Sequence, residues 1–163
     1  MCGDNLTNIT SVCAIVISII SIVFTTIFSI LQVKHNKNSV RPIASILLND
    51  YENLLSVYIE NVGTGPLTIK KLTCSDGLST SDSLIELMPK VDQNWSTFCE
   101  SIDGRTIPVG GKVVLVEIQP QNAEICSRIR AKLSRIKVSV EYSDIYNSKF
   151  NNYRELSYFG RHD

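Results

Sequence analysis

The chain opens with a long hydrophobic pattern that predicts a membrane helix. From Leu6 to Val33 there is no Asp, Glu, Lys or Arg, and Ile, Val, Phe and Leu dominate. About 20 apolar residues in a helix cross the hydrocarbon core of a bilayer. A cleaved signal peptide would instead need a basic n-region, a shorter apolar run and a small-residue cleavage site. We therefore expect a single uncleaved transmembrane helix at residues 1–33.

Small and hydroxyl-bearing residues recur along this predicted helix at alternating spacings of three and four, so that they share one face. They are Ser11, Ala14, Ser18, Ser21 and Thr25. Small residues let helices approach closely in lipid, and hydroxyl groups hydrogen-bond across the contact. This seam predicts a homo-oligomer. In a lone helix the same hydroxyl groups would bond their own backbone, and the pattern leaves open whether associated helices enclose a pore.

The charges on either side of the helix predict its orientation. Asp4 is the one charged residue before it, whereas Lys34, Lys37 and Arg41 follow it. Basic residues beside a membrane helix stay in the cytoplasm, so we expect the N-terminus outside the inner (plasma) membrane and the remainder in the cytoplasm. The 5 cysteines are scattered, which suits a reducing compartment. The stretch from Lys34 to Ser39 is polar, and we expect a juxtamembrane linker at residues 34–41.

After Pro42 the hydrophobic period becomes strand-like, with Gly and Asn-Asp turns between short apolar runs. The predicted strands cover residues 43–48, 54–59, 66–74, 113–118, 136–142 and 153–159, and helices are predicted at 122–135 and, capped by Ser81 or Asp82, at 84–87. Residues 42–163 are enough for one core. We expect one mainly β domain, a small β-sandwich or barrel of about seven strands with one or two short helices, preceded by the single transmembrane α-helix.

Residue types that usually carry catalysis or bind metals are not grouped in this sequence. His35 and His162 lie in the predicted linker and at the end of the chain, and no Cys-x-x-Cys or His-x-x-x-His pattern occurs. We therefore expect no enzyme activity, metal or cofactor, although a hydrolase working with carboxylates alone stays open. The 16 basic residues balance 16 acidic ones, so we expect no duplex nucleic acid as partner.

One basic segment predicts an anion-binding site. Arg128, Lys132 and Arg135 fall at i, i+4 and i+7 along one edge of the predicted helix, and Lys137 begins the following strand. Guanidinium groups spaced this way suit bidentate contacts with phosphate. A solvated helix face, or a face resting on anionic lipid headgroups, explains the same pattern. A nucleotide ligand would also need aromatic rings nearby for stacking. The candidates are Trp95, Tyr142, Tyr146 and Tyr153.

Two segments carry a resemblance to known proteins. Tyr58 to Ile69 (Tyr-Ile-Glu-Asn-Val-Gly-Thr-Gly-Pro-Leu-Thr-Ile) and Val140 to Tyr146 resemble strand-turn segments of small bacterial membrane proteins. In those proteins one N-terminal transmembrane helix precedes a cytoplasmic immunoglobulin-like sandwich. The resemblance covers residues 40–75 and 136–159.

The architecture is also similar to the membrane effectors of cyclic-nucleotide antiphage (CBASS) systems and of type III CRISPR systems. That resemblance implies a cytoplasmic domain that binds a cyclic oligonucleotide while clustered helices act on the lipid bilayer. The alternative is a non-enzymatic adaptor or assembly protein that binds a protein partner through the β domain.

Overall fold

The computed structural model describes residues 2–162, with side chains from residue 10 to residue 161, and divides into a helical unit and a β domain that begins at Val40. Helix α1 spans Cys2–Ser39. Within the segment Thr10–Ser39, the most apolar stretch of 18 residues has a mean hydropathy of 2.6, so by length and composition α1 is able to cross a membrane.

Helix α1 ends six residues after Val33, the predicted end of the transmembrane helix, so residues 34–39 of the expected linker at 34–41 are helical. No Gly or Pro interrupts this segment, and Lys37 lies in the last turn, where a positive charge interacts favourably with the helix dipole. Pro42 disfavours the helical conformation at the residue before it. The polar residues therefore extend the helix, and Pro42 explains why the helix stops before it.

Within residues 40–162, the β domain contains nine strands and two helical segments besides helix α2. The strands are β1 (Ala44–Tyr51), β2 (Leu54–Asn61), β3 (Leu67–Ser75), β4 (Thr80–Ser81), β5 (Thr97–Phe98), β6 (Thr106–Ile107), β7 (Lys112–Ile118), β8 (Lys137–Ser143) and β9 (Lys149–Glu155). Helix α2 spans Ala123–Leu133, and 3-10 helices span Ile85–Leu87 and Ser157–His162. The prediction of a mainly β domain with short helices is confirmed.

The strands form two antiparallel sheets that enclose the core. One sheet has the order β1-β2-β7-β5, and the other has the order β4-β3-β8-β9, with β6 also paired to β3. Fully buried side chains from both sheets face each other, among them Ile59, Leu115, Ile69 and Val140. The domain is therefore a β-sandwich, in which alternate residues of each strand point inward.

The two sheets approach each other along β1 and β9. Asn152 Nδ2 donates to the carbonyl oxygen of Ala44, and Arg154 Nη1 donates to that of Ile46, each at 2.7 Å. Carbonyl groups along the edge of a sheet are otherwise free to accept hydrogen bonds from another strand. Side chains of β9 thus cover the outer edge of β1.

Two local predictions are wrong. The last strand ends at Glu155, and residues 157–162 form a 3-10 helix instead of continuing a strand to 159. Leu156 and Phe159 are both fully buried, and their spacing of three matches the period of a 3-10 helix. The short helix near residue 85 receives no cap from Ser81, whose hydroxyl donates to the Glu86 carboxylate at 2.5 Å.

Helix α2 matches its predicted position, although it ends at Leu133 instead of Arg135. Asn122 caps it by accepting a hydrogen bond from the Ile125 backbone N–H at 2.8 Å. Cys126, Ile129 and Leu133 are buried on one face. The basic side chains consequently project from the remaining faces of the helix.

Candidate functional site

The predicted anion site is partly used by an internal ion pair. Lys132 Nζ donates to Asp76 Oδ2 at 2.6 Å. This bond, together with the backbone N–H groups of Ser79 and Leu78, holds the pKa of the Asp76 carboxyl well below its usual range. Lys132 therefore links helix α2 to the β3–β4 turn, and its charge is balanced before any ligand arrives.

Arg135 and Lys137 lie beside this pair and are exposed. Arg135 borders two shallow clefts, one of about 320 Å³ with Lys132 and Asp76 and one of about 290 Å³ with Lys137 and Glu155. Lys137 Nζ lies 4.1 Å from the ring centroid of Tyr153, a cation–π contact. Lys132, Arg135 and Lys137 thus form one surface, termed the distal basic surface, with one aromatic ring beside it.

Arg128 does not join this surface. Arg128 lies one helical turn before Lys132, and its Nη2 atom is 3.4 Å from the carbonyl oxygen of Lys90. Of the predicted stacking residues, Tyr142 is buried and stacks on Phe150, with ring centroids 5.5 Å apart. The structure therefore brings together three of the four predicted basic residues with Tyr153.

The hydroxyl groups of the predicted seam bond their own helix. Ser18 donates to Ala14, Ser21 to Ile17 and Thr25 to Ser21, at 2.7–2.8 Å in each case. This is the arrangement expected of a lone helix, the alternative that the sequence left open. The seam keeps its small side chains, and self-association stays a prediction.

The domain contains a buried ion cluster that the sequence did not predict. The Asp50 side chain is 0% exposed and lies 2.8 Å from Arg130 Nε and 3.3 Å from Arg161 Nη2. It connects the end of β1 to helix α2 and to the last 3-10 helix. The sequence around Asp50 has the composition of a turn and therefore did not indicate a buried residue. In the structure β1 continues to Tyr51, and the turn consists only of Glu52 and Asn53.

A larger groove, also unforeseen, lies beside the β8–β9 hairpin and has a volume of about 610 Å³. Its lining includes Lys70, Lys149, Glu141 and the edge of the stacked Tyr142–Phe150 pair. Ser143 also lines this hairpin groove, and its buried hydroxyl has no hydrogen-bond partner within the described residues. Lys70 lies at a β-bulge of β3, which interrupts the alternation from which its position could be predicted.

The side chain of Asn61 fixes the β2–β3 turn. The Asn61 side chain is fully buried, donates to the carbonyl oxygens of Gly65 and Ile107 at 2.8 and 3.1 Å, and accepts from Gly63 N–H at 3.1 Å. One amide therefore fixes the turn and the adjacent β6 strand. This explains the Asn-Val-Gly-Thr-Gly-Pro motif as a structural device.

The same turn binds residues 40–43, termed the junction segment. Thr64 N–H donates to the Arg41 carbonyl at 3.0 Å, and Val62 N–H donates to the Ile43 carbonyl at 2.9 Å. A side chain at Gly63 or Gly65 would overlap backbone atoms of this segment. The glycines thus permit a close backbone contact that begins one residue after helix α1 ends.

Two cysteine thiols of the β domain, those of Cys74 and Cys126, are buried. Burial raises the pKa of the Cys74 thiol to about 12 and also raises the pKa of the Cys126 thiol. Within residues 2–162, no group of three or more His, Cys, Asp or Glu side chains is arranged to hold a metal ion.

Comparison with known proteins identifies a family. Residues 9–158 match the family described as a domain of unknown function (DUF8453). No curated protein matches the chain, and no solved structure matches it. The matched range runs from the apolar helix to the last 3-10 helix and covers most of the chain. The chain therefore belongs to the DUF8453 family.

Proposed function

We propose that this protein is a single-pass membrane sensor and effector. Its sandwich binds a phosphate-bearing nucleotide signal in the cytoplasm, and associated α1 helices act on the membrane in antiphage defence. The observation that carries the proposal is the junction segment, which is clamped to the β2–β3 turn immediately after Ser39.

This clamp favours an effector over a passive anchor. A tethered binding domain needs only a flexible connection, and polar linkers provide one. Here the helix ends at Ser39, and Arg41 and Ile43 are already bound to the turn by backbone hydrogen bonds. The β domain therefore begins within two residues of the end of the helix, which leaves little chain for a flexible linker, and the proposal is that a rearrangement of the sandwich acts on the helix through this short connection.

The distal basic surface is the proposed ligand site. Arg135 and Lys137 are exposed beside the Lys132–Asp76 pair, and Tyr153 offers a ring for stacking. A phosphate at Arg135 competes with Asp76 for Lys132, so binding would loosen the link between helix α2 and the β3–β4 turn. Such an exchange of ion pairs is a local change that can shift the equilibrium between two conformations of the domain.

Membrane insertion and orientation follow from composition. Segment Thr10–Ser39 is long and apolar enough to span a bilayer, and Lys34, Lys37 and Arg41 follow its apolar part. By the positive-inside rule, these charges support the proposed orientation, with the sandwich in the cytoplasm.

Most sheet edges disfavour a partner that adds a strand to the sandwich. The outer edge of β1 is covered by Asn152 and Arg154. The strands β4, β5 and β6 have two residues each, which is short for strand addition. The other edge strand is β9, with seven residues. An adaptor role would therefore depend on β9 or on loops or faces of the domain.

The coupling is tested by inserting a flexible Gly-Ser segment between Ser39 and Val40 of the full chain. The same insertion between the exposed loop residues Glu100 and Ser101, away from the proposed ligand site, is the matched control. We expect the junction insertion to abolish the effect on membrane integrity in cells while ligand binding persists. Full activity of the junction insertion would overturn the proposed coupling.

The ligand is tested by thermal unfolding of the full chain in nanodiscs with cyclic di-, tri- and tetranucleotides. A ligand at about 100 times its Kd adds roughly 2.7 kcal/mol of stability. We expect Arg135→Ala with Lys137→Ala to remove the shift, and Lys90→Ala, an exposed cation elsewhere, to retain it. No shift with any compound would favour the adaptor role.

Self-association is tested by the double substitution Ser18→Leu with Ser21→Leu. Both changes make the helix more apolar, so insertion is preserved. A helix that works as an oligomer should lose cross-linking and activity, whereas Ile19→Leu, on another face, should change neither. Unchanged cross-linking in the double variant would rule out the seam as the contact.

A further inference from the structure

Four connections of the sandwich meet at one end of the domain. The pairing of Ala44 with Asn61, of Leu67 with Ile107, and of Thr68 with Ser143 brings them together. They are the junction segment, the β2–β3 turn (62–66), the β6–β7 turn (108–111) and the β8–β9 turn (144–148). We term this the junction end. The distal basic surface lies at the opposite end, where Ser75 pairs with Lys137.

The junction end is unusually apolar at its tips. Ile43, Val62, Val109 and Ile145, one from each connection, are 47–58% exposed. Among the described residues of the domain, Leu78 is the one other exposed large aliphatic side chain. Tyr146 is also exposed there, and tyrosine favours the interface between lipid and water. Apolar tips concentrated at one end of a domain mark a contact surface.

The charges at this end are basic. The four connections contain a single carboxylate, Asp144, which is buried and accepts the backbone N–H groups of Tyr146 and Ser148 at 2.8 Å. Exposed cations flank the tips: Arg41, Lys112 and Lys149. This combination of apolar tips and surrounding cations is complementary to an anionic lipid surface, into which apolar groups dip while cations contact phosphates.

The hairpin groove opens at this same end. Lys70 and Lys149 line it, and Ser143, whose buried hydroxyl lacks a hydrogen-bond partner within the described residues, lies beside them. Glu141 is the one carboxylate in its lining. The phosphate diester of a phospholipid fits this setting because it is an anion that both ammonium groups can contact and it is attached, through the glycerol, to apolar acyl chains that match the aromatic wall.

The covalent link keeps the junction end close to the membrane. Ile43 is four residues beyond Ser39, and an extended chain covers at most about 3.6 Å per residue. If helix α1 spans the bilayer, as the proposed function requires, the tips lie within reach of the headgroups at which the helix ends.

We infer that the junction end docks on the membrane surface, with Ile43, Val62, Val109 and Ile145 dipping among the headgroups of anionic phospholipids and the hairpin groove holding a lipid phosphate. The inference rests on the membrane-spanning part of the proposed function and adds a second, lipid-binding surface to it. Docking leaves the distal basic surface facing the cytoplasm, available to a soluble ligand.

The test uses the full chain in nanodiscs with one fluorophore at a time. Cys2, Cys13 and Cys99 are replaced by Ser, whereas the buried Cys74 and Cys126 are retained because their raised pKa values make them slow to react. Labels are placed at Val109→Cys and Ile145→Cys. Leu78→Cys, 97% exposed at the opposite end, is the matched control, and Phe24→Cys reports on the helix.

In discs that contain phosphatidylglycerol, we expect a lipid-attached quencher to act several-fold more strongly on the labels at positions 109 and 145 than on position 78. Quenching should weaken in discs of pure phosphatidylcholine and in the double variant Lys70→Glu with Lys149→Glu, but not in Lys90→Glu. Inorganic phosphate should leave it unchanged, since a free phosphate lacks the apolar portion.

Other outcomes overturn the inference in distinguishable ways. If only the label at position 24 is quenched from the lipid, the helix spans but the junction end does not dock. Protection of positions 109 and 145 from a soluble quencher without lipid quenching would assign the tips to a protein contact. Loss of quenching in inorganic phosphate would identify the groove as a site for a soluble anion. A position-24 label open to water would refute the membrane-spanning helix itself.

Discussion

A Cβ atom on Gly65 would overlap the backbone carbonyl of Val40, so these two residues are in contact only because Gly65 has no side chain. Val40 is the first residue after helix α1, and Gly65 belongs to the β2–β3 turn. The contact, together with the backbone hydrogen bonds of Arg41 and Ile43, holds the first residues of the β domain against the β2–β3 turn.

Gly65→Ala should therefore destabilise the domain. The obstructing atoms are backbone atoms, which cannot rotate away as the end of a side chain can. Overpacking costs typically 1–3 kcal/mol, and we expect the free energy of unfolding to fall by at least about 2 kcal/mol. Thermal unfolding of the full chain in detergent measures it. Gly77→Ala, at a positive φ in open space, controls for backbone strain alone, and a larger loss there would contradict this explanation.

Asn61→Ala should have a comparable effect for a different reason. The substitution leaves the carbonyl oxygens of Gly65 and Ile107 and the N–H of Gly63 without their partner. Each buried group left unsatisfied costs about 1–3 kcal/mol. The exposed Asn94→Ala variant serves as control. Hydrogen exchange should show faster opening at Gly63 in Asn61→Ala, and unchanged exchange there would refute the role of Asn61.

Asp50→Ala should be the most destabilising single change at the ion cluster. Its carboxylate is fully buried between Arg130 and Arg161, and removing one partner of a buried pair costs about 3–5 kcal/mol because a charge is left unpaired. Arg161→Ala should cost less, since that side chain is 35% exposed. Adding Arg130→Ala to Asp50→Ala should recover part of the loss. Strict additivity in chemical denaturation would show that the two residues act independently.

The Lys132–Asp76 pair should make stability depend on acid. The pKa of Asp76 is lowered in the folded state, chiefly by the bond from Lys132. Its stabilising contribution is therefore complete above the ordinary carboxyl pKa of about 3.9 and is lost as pH falls below that value. Asp76→Asn should be less stable than the parent chain at neutral pH, and the difference should shrink in acid.

Thermal unfolding between pH 7 and pH 3 measures this difference, with the exposed Asp92→Asn as the reference for removing a carboxylate. A difference that stays constant through acid pH would show that the pair does not stabilise the fold.

The local pattern of apolar residues was sufficient to predict the elements that bury one face or lie in one environment along their whole length. The uncharged run up to Val33 predicts helix α1, and the short apolar runs around Ile59 and Val116 predict β2 and β7, because the length of an apolar run and the turn residues beside it indicate the type of element. The apolar stripe through Ile129 and Leu133 likewise predicts α2. The sequence by itself therefore determined the element types and a mainly β domain after a long apolar helix.

Tertiary structure decided which charges are available for function. Lys132 and Arg130 belong to one basic run, yet their partners Asp76 and Asp50 are 56 and 80 residues away along the chain. The groove at Ser143 and Lys70 and the clustering of four apolar tips likewise depend on strand pairing. Contacts across such separations are set by sheet register and by close packing of backbones. The spacing of residues along the sequence gives information about neither.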